Sequence, residues 1–259
     1  MDLLIHEKQR VLHITLNRQG KRNALTAEMC CGIVNAVHGV QEREEIGCIL
    51  LSAAGSVFCA GMDLDEAADP NGPDLLKVHE QLFSIGINSR KPIVVSVNGA
   101  ALGGGLGLVA QGHVVMTSEL AAFGLPEIRV GLWPFVVFRA VEAAVGARRT
   151  LQLSLTAALF HPPEAQKWGI VHQVCPHAEL ADRSKVMARE IAKASPLAVS
   201  SGMRYFRASR GKSWEESGAL AAELREKLMD SADFKEGIAA FKEKRDPHWP
   251  SMPSSFYEH

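Results

Sequence analysis

Three short apolar runs typical of β-strands constrain the fold of this 259-residue chain more than any other feature. They read GCILL at 47–51, PIVVSV at 92–97 and HVVMT at 113–117. Ahead of the first run, residues 26–41 place apolar side chains at helical spacing. Strands buried on both faces belong to parallel sheets, and helices connect such strands. The alternation therefore predicts an α/β fold with a mainly parallel sheet.

The two ends of the chain carry different patterns. Residues 3–6 and 11–16 alternate between apolar and polar side chains on either side of a polar turn, which predicts a hairpin. From residue 196 onwards the pattern becomes helical and richer in charge, and a proline-rich tail ends the chain. We therefore expect an α/β core over residues 1–195 and a helical C-terminal module over residues 196–259.

The charge balance and the cysteines narrow the classes of partner and compartment. The formal net charge is −1 and no block of Lys and Arg occurs, which disfavours nucleic acid and anionic membranes as partners. The five cysteines form no Cys-x-x-Cys pair, so we expect reduced thiols and a cytoplasmic location. No apolar run approaches the roughly 20 residues that span a bilayer.

The segment LGGGLG at 102–107 contains four glycines, each of which weakens a helix or strand by roughly 0.5–1 kcal/mol. It fits a cluster of packing glycines, or a turn that opens a helix and directs backbone N–H groups at a ligand. A third interpretation is a dinucleotide loop, because GLGLVA at 105–110 matches GxGxxA and Glu127 follows about 20 residues later. A dinucleotide loop has its first glycine at the end of a strand, whereas NGAALG here separates the glycines from the strand that ends at Val97. The third match is therefore weak.

Two further segments carry candidate chemistry. The segment VFCAGMDLDE at 57–66 predicts a loop with backbone N–H groups near Met62. Asp63 and Asp65 within it lack the further ligands that a metal site needs. Glu127 lies among apolar residues in FGLPEIRVGL; if buried, it has a raised pKa and can exchange protons near neutral pH. The same segment also fits an exposed glutamate at a strand edge.

Taken together, five stretches resemble motifs of the crotonase superfamily (the enoyl-CoA hydratase/isomerase family), in the family's order and over nearly the whole chain. They are ITLNRQGKRNAL (14–25), VFCAGMDL (57–64), PIVVSVNGAALGGGLGL (92–108), AFGLPEIRVGLWP (122–134) and DFKEGIAAFKEKRDP (233–247). Five ordered motifs are far more specific than any one of them.

The resemblance implies a fold of repeated ββα turns, assembled as a homotrimer or a dimer of trimers. It also implies acyl-CoA thioesters as substrates and no metal or redox cofactor, with coenzyme A entering as part of the substrate. The N–H groups of Met62 and Gly104 match the family's oxyanion hole, and Glu127 matches a catalytic carboxylate. The positions that match coenzyme A contacts are Arg22, Ala24, Ala60, Asp63, Leu64, Phe241 and Lys244.

Two departures from the family's hydratases bear on the reaction. Hydratases carry a further glutamate where this chain has Gly107, and a water-holding P-G-x-G-G where it has FVVF at 135–138. One carboxylate and an oxyanion hole suffice to move a proton between Cα and Cγ, so the residues favour enoyl-CoA isomerisation. Hydration through another proton relay and a non-catalytic paralogue that binds coenzyme A or RNA are the alternatives. Trp133, Phe135 and Phe138 fit either an acyl-pocket wall or core packing.

Overall fold

The computed structural model describes residues 1–256 and has the predicted α/β class. Nine strands form two sheets within this range. Their bounds are β1 (Leu3–Lys8), β2 (Val11–Leu16), β3 (Cys48–Ala53), β4 (Val57–Cys59), β5 (Ile93–Val97), β6 (Ala100–Leu102), β7 (Val114–Ser118), β8 (Phe123–Gly124) and β9 (Gln173–Cys175). The three apolar runs predicted as strands form β3, β5 and β7.

Twelve α-helices and three short 3₁₀ helices connect and follow these strands in the described range. The α-helices are α1 (Ala27–Gly39), α2 (Leu64–Ala67), α3 (Leu75–Leu82), α4 (Ile85–Asn88), α5 (Gly104–Val109), α6 (Phe135–Val145), α7 (Ala147–Thr156), α8 (Pro162–Lys167), α9 (His177–Ala192), α10 (Pro196–Ala208), α11 (Trp214–Met229) and α12 (Ala232–Glu243). The 3₁₀ helices are Gln19–Lys21, Glu127–Val130 and Ser254–Phe256. Three residues of the tail, 257–259, lie outside the described range.

The strands enter the two sheets in pairs. The larger sheet has the order β1-β2-β3-β5-β7-β9 and is parallel except for the β1–β2 hairpin. The smaller sheet has the order β4-β6-β8 and is parallel throughout. Each of the pairs β3–β4, β5–β6 and β7–β8 gives one strand to each sheet before the chain continues into helices. This arrangement confirms the ββα repeat that the family resemblance implies.

Strand β3 shows how the larger sheet is covered on both faces. Successive side chains of a strand point to opposite faces. Ile49 and Leu51 belong to the main core, which also contains the apolar face of α1. Cys48 and Leu50 pack on the other face, against Ala188 of α9. Because both faces are buried, the strand is a continuous apolar run without a polar alternation.

The smaller sheet and its surroundings differ from the sequence prediction. Its strands have two or three residues, too few to show an alternation that a pattern could reveal. The segment 57–59, predicted as part of a loop, is β4. Glu127 begins a 3₁₀ helix shortly after β8, so the alternative of an exposed glutamate at a strand edge is wrong. Pairing of Cys59 with Ala101 brings the loops after β4 and β6 side by side.

The C-terminal helices begin where the charge pattern changes. The Ser195 hydroxyl accepts a hydrogen bond from the Ala198 N–H at 3.0 Å and donates one to Asp233 of α12 at 2.5 Å. The indole of Trp249 donates to the carbonyl of Lys193 at 2.8 Å. These bonds hold α10 and α12 against the end of α9. The division into two domains at residues 195 and 196 stays a prediction.

Candidate active site

A mostly apolar cavity of about 550 Å³ opens between the loops after β4 and β6, helix α3 and the segment that begins with the 3₁₀ helix Glu127–Val130. Five predicted site residues line it: Ala60, Met62, Leu64, Gly104 and Glu127. The fold therefore brings the three predicted catalytic positions and two of the predicted coenzyme A contacts to one place.

Close approaches of the backbone require glycine at 103 and 105. Gly103 has φ +53° and ψ −119°, a region that glycine alone occupies readily, and a Cβ there would lie 2.9 Å from Oε1 of Glu127. A Cβ on Gly105 would overlap the carbonyl oxygen of Cys59. The glycines thus form a turn that seats α5 against β4. Because Gly105 already lies inside α5, the segment 105–110 does not form the strand-to-helix turn of a dinucleotide site.

Met62 and Gly104 contribute two backbone N–H groups that donate no hydrogen bond to a protein atom within residues 1–256. Leu25 forms a β-bridge beside Met62: its carbonyl accepts a hydrogen bond from the Asp63 N–H, and its N–H donates one to the Gly61 carbonyl. The Met62 N–H takes no part in this bridge. Gly104 opens α5, where amides have no partner within the helix. A Cβ on Gly61 would lie 3.5 Å from the Gly104 nitrogen, so the two segments are adjacent. Paired donors of this kind can stabilise an oxygen that gains negative charge.

Glu127 is the one carboxylate among the residues found to line the cavity in the described chain. Its Oε2 is buried and has no hydrogen-bond partner within residues 1–256. Burial raises the pKa of Glu127, against a smaller lowering by the residue's own backbone N–H. A carboxyl group in such surroundings can take up and return a proton near neutral pH.

The space beside Gly107 is filled by apolar side chains. A Cβ there would lie 2.7 Å from Cε1 of Phe83 and 3.2 Å from Cγ1 of Val137. Phe83 is buried and also borders Gly104, where a Cβ would lie 3.3 Å from its Cζ. Position 107 therefore has no room for a second carboxylate unless Phe83 moves.

The three aromatic residues near the start of α6 have different positions. Trp133 and Phe135 line the cavity, and Phe135 is exposed at its rim. Phe138 is not among the lining residues, and its ring stacks on Trp133 with centroids 6.2 Å apart. The first two rings are therefore walls of the cavity, and Phe138 supports one of them.

Four of the predicted coenzyme A contacts lie near or beyond the edge of this cavity. Arg22 and Ala24 lie in the loop before α1, and the Arg22 carbonyl accepts a hydrogen bond from the Ala60 N–H at 3.0 Å. Phe241 lies on α12 and Lys244 directly follows it. No lining residue of the cavity in the described chain comes from the C-terminal helices. Within one chain, these two residues and Glu127 are not brought together.

Asp63, the remaining predicted coenzyme A contact, has a side chain that is already bonded within the protein. Its carboxylate accepts hydrogen bonds from the Asp65 and Glu66 amides, at 3.0 and 3.1 Å, and caps α2. It also pairs with Arg18 at 2.5 Å. The Asp63 side chain therefore positions helix α2 and the loop that contains Met62. Only the backbone of Asp63 is left for a contact with coenzyme A.

Helix α3 is the part of the site that was not predicted from the sequence. His79 and Phe83, which follow each other by one helical turn, both line the cavity. A signal for this helix exists, because Leu75, Leu76, His79 and Phe83 recur at helical spacing after Asp74. Asp74 caps the helix by accepting hydrogen bonds from two backbone amides, as an N-cap residue does.

Residues 1–256 offer little support for metal, membrane or disulfide chemistry elsewhere. No group of three or more His, Cys, Asp or Glu side chains in that range could hold a metal ion. None of its helices combines the length and the apolar character that crossing a bilayer requires. All five cysteines are unpaired; Cys31 is exposed, and the other four are buried. The cavity at Glu127 is therefore the candidate active site.

This spiral of ββα turns, with two backbone donors and a buried carboxyl group in one apolar cavity, has the fold of the crotonase class of enzymes. Residues 6–252 match the family model described as enoyl-CoA hydratase/isomerase, and the chain belongs to this family.

Relatives with different reactions are about equally similar to this chain. The 2,3-dehydroadipyl-CoA hydratase of Escherichia coli is 31% identical over 248 residues, which cover 95% of this chain and 97% of that protein. The 1,2-epoxyphenylacetyl-CoA isomerase of the same organism is 29% identical over 255 residues, with 95% and 97% covered. Among solved structures, human enoyl coenzyme A hydratase domain-containing protein 3 superposes with a TM-score of 0.91 at 27% identity, over 96% of this chain and 100% of that one. Family membership thus makes the chain an enzyme of this family without selecting hydration or isomerisation.

Proposed function

We propose that this enzyme forms an enolate from an acyl-CoA thioester and converts a 3-enoyl-CoA into a 2-enoyl-CoA. The observation that carries this proposal is one buried carboxyl group, Glu127, beside two free backbone N–H groups, of Met62 and Gly104, in one apolar cavity. Phe83 and Val137 fill the space from which a second carboxylate would act, which supports isomerisation over hydration.

In the proposed reaction, the thioester oxygen accepts hydrogen bonds from the amides of Met62 and Gly104. Glu127 takes a proton from Cα, and the electron pair moves to the thioester oxygen as the dienolate forms. The carboxyl group then returns the proton to Cγ, so that the double bond moves to C2–C3 and the carbonyl reforms. Each preorganised donor contributes roughly 3–4 kcal/mol to stabilising the developing charge. Coenzyme A takes part as a portion of the substrate, and the proposal requires no other cofactor.

The proposed assembly is a homotrimer or a dimer of trimers in which Phe241 and Lys244 of one copy contact coenzyme A bound to another. Phe241 supports this, because its side chain is 86% exposed and lies outside the cavity of its own chain. Arg22 and Ala24 are proposed to contact the nucleotide at the edge of the cavity. The cytoplasmic location stays a prediction.

Replacement of Glu127 by glutamine tests the assignment of the base. We expect Glu127→Gln to lower the rate of 2-hexenoyl-CoA formation from 3-hexenoyl-CoA by about 10²–10⁴-fold, because an amide cannot accept the Cα proton. Binding of hexanoyl-CoA, measured by calorimetry, should be unchanged because glutamine keeps the shape of the side chain. Glu28→Gln, on the exposed side of α1, is the control and should keep full activity.

Three outcomes would overturn the proposal. Full isomerase activity in Glu127→Gln would falsify the assignment of the base. Hydration of crotonyl-CoA by the wild type without isomerisation of 3-hexenoyl-CoA would favour the hydratase alternative. Binding of hexanoyl-CoA with no turnover of either substrate would favour the non-catalytic paralogue.

A further inference from the structure

His79, on α3, is a second polar group in the cavity that contains Glu127. Its Nε2 is buried and has no hydrogen-bond partner within residues 1–256. Four buried side-chain atoms in that range share this condition, and two of the four, His79 Nε2 and Glu127 Oε2, line this one cavity. An unpaired buried polar atom costs free energy, so a bound molecule that supplies the missing partner gains affinity.

The surroundings of His79 leave the imidazole as an isolated hydrogen-bonding group. Arg129, also at the cavity, already donates a hydrogen bond to the carbonyl of Ala157 at 3.0 Å. Leu75 and Leu76 of the same helix line the cavity with apolar side chains. A ligand in this part of the cavity therefore meets hydrocarbon with one polar nitrogen in it.

The charge of His79 selects the kind of group that can pair with it. Burial lowers the pKa of His79, and the carboxylate of Glu66 opposes this to a smaller extent, so the surroundings favour the neutral imidazole. A neutral imidazole has one donor and one acceptor nitrogen, and its tautomer decides which of them is Nε2. A hydroxyl group both donates and accepts, so it suits either tautomer. A carboxylate accepts only, and would favour a protonated imidazole that burial disfavours.

The position of His79 shows which part of the substrate it can reach. Its ring centroid lies 5.9 Å from that of Phe83. Phe83 in turn borders the Gly104 backbone, where a Cβ would lie 3.3 Å from Cζ. One aromatic ring therefore separates the imidazole from the amide proposed to hold the thioester oxygen. An acyl chain whose thioester oxygen is held at Gly104 would therefore meet His79 on the far side of the Phe83 ring.

We propose that His79 Nε2 hydrogen-bonds a hydroxyl group on the acyl chain, and that the substrates are acyl-CoA thioesters hydroxylated beyond the reacting carbons. The inference rests on the proposed function, which assigns this cavity to the acyl group. The hydroxyl satisfies the buried nitrogen, whereas an unsubstituted chain leaves it unpaired. A site built to pair with a hydroxyl discriminates against the analogue that lacks one.

Binding of unreactive ligand pairs tests this proposal. The probes are hexanoyl-dethia-CoA, in which a methylene replaces sulfur, and its derivatives hydroxylated at C4, C5 or C6; replacing sulfur prevents lactonisation. We expect at least one hydroxylated probe to bind the wild type about 10- to 100-fold more tightly than the parent probe, by calorimetry. His79→Phe should abolish this preference and keep the affinity for the parent probe, because a phenyl ring fills the same space. His79→Gln should keep part of the preference, because its amide can still form a hydrogen bond.

Each further result has a defined meaning. A preference that survives in His79→Phe, or its absence from the wild type with all three hydroxylated probes, would overturn the proposal. The exposed His38 of α1 provides the control, and His38→Phe should keep the preference. The measurement needs no turnover, so failure of the Glu127→Gln experiment leaves the His79 result standing. Failure of even the parent probe to bind would overturn the acyl-CoA assignment of the cavity, and with it the role of His79.

Discussion

Gly103 couples the backbone of the site to its carboxyl group. Its φ of +53° and ψ of −119° would cost an alanine about 1–3 kcal/mol. The added Cβ would also press on Oε1 of Glu127 at 2.9 Å. We expect Gly103→Ala to lower the thermal unfolding midpoint and to lower isomerase activity, the latter because the carboxyl group must move. Thermal unfolding and initial rates with 3-hexenoyl-CoA measure the two effects.

Gly211→Ala is the matched control for that variant. Gly211 also has a positive φ, +75°, but it lies after α10, outside the cavity, and a Cβ there would meet nothing within 4 Å. This control should lose stability and keep its activity. Equal loss of activity in both variants, or full activity in both, would show that Gly103 is not required for its contact with Glu127.

At the scale of single residues, the sequence reveals candidate site residues but not the side chains that surround them. Glu127 could be found because its segment resembles a family motif, and its apolar neighbours suggested burial. The filling of the space beside Gly107 could not be predicted, because Phe83 lies 24 positions away at the end of α3, a helix that was not predicted. His79 was missed for the same reason, because it also lies on α3. Which side chain fills a cavity depends on packing between distant segments, and no local pattern records that packing.

At the scale of secondary structure, the cap of α2 can be tested separately from coenzyme A binding. Asp63 accepts hydrogen bonds from two helix amides and from Arg18. Burial alone would raise the pKa of Asp63, but the hydrogen bond from Arg18 and those from the amides together hold it below its ordinary value. We expect Asp63→Ala to lower the free energy of unfolding at pH 7 by about 1–2 kcal/mol, measured by urea denaturation.

The pH dependence of this loss follows from the direction of the pKa shift. A lowered folded-state pKa gives stability that is present above the unfolded value of roughly 3.9 and is lost as the pH falls through the folded value. The difference between wild type and Asp63→Ala should therefore shrink in acid. Asp74→Ala is the control, because Asp74 caps α3 in the same way while exposed to solvent. A difference that grows in acid would contradict the role assigned to Asp63.

The elements that could be predicted are those whose burial leaves a long pattern. β3 was expected over 47–51 and spans Cys48–Ala53, because burial on both faces makes a continuous apolar run. β6 and β8 have three and two residues, so their pairing depends on the fold around them. The candidate site lies at these short strands. The strands that position the candidate site are thus the ones that the hydrophobic pattern of the sequence reveals least.

At the scale of the whole molecule, the C-terminal helices carry an exposed apolar surface. Trp214 of α11 and Phe241 of α12 are almost fully exposed, and Phe234 and Ile238 on α12 are partly so. Phe234, Ile238 and Phe241 border one groove along α12, and an exposed apolar surface of this kind is typical of surfaces that another protein covers. The sequence pattern predicted helices here, but only the family resemblance implied an assembly. A helix that buries one face against its own chain and a helix that also binds a second chain share the same periodicity.

Phe241 allows the proposed assembly and the shared coenzyme A contact to be tested together. We expect the wild type to sediment as three or six chains. Phe241→Ala should shift it towards smaller species on dilution, because burying a phenylalanine side chain contributes about 1.5–3 kcal/mol. If Phe241 also contacts coenzyme A of a neighbouring copy, the KM for 3-hexenoyl-CoA should rise by a larger factor than kcat falls. Sedimentation and steady-state kinetics on the same samples measure both.

Leu120→Ala is the control, because Leu120 is 67% exposed but lies between β7 and β8, outside the C-terminal helices. It should change neither the sedimentation nor the KM. A fully active wild-type monomer would contradict both the assembly and the shared site. A dissociated Phe241→Ala with an unchanged KM would contradict the shared site alone, since the cavity of one chain would then bind its substrate without the C-terminal helix of another.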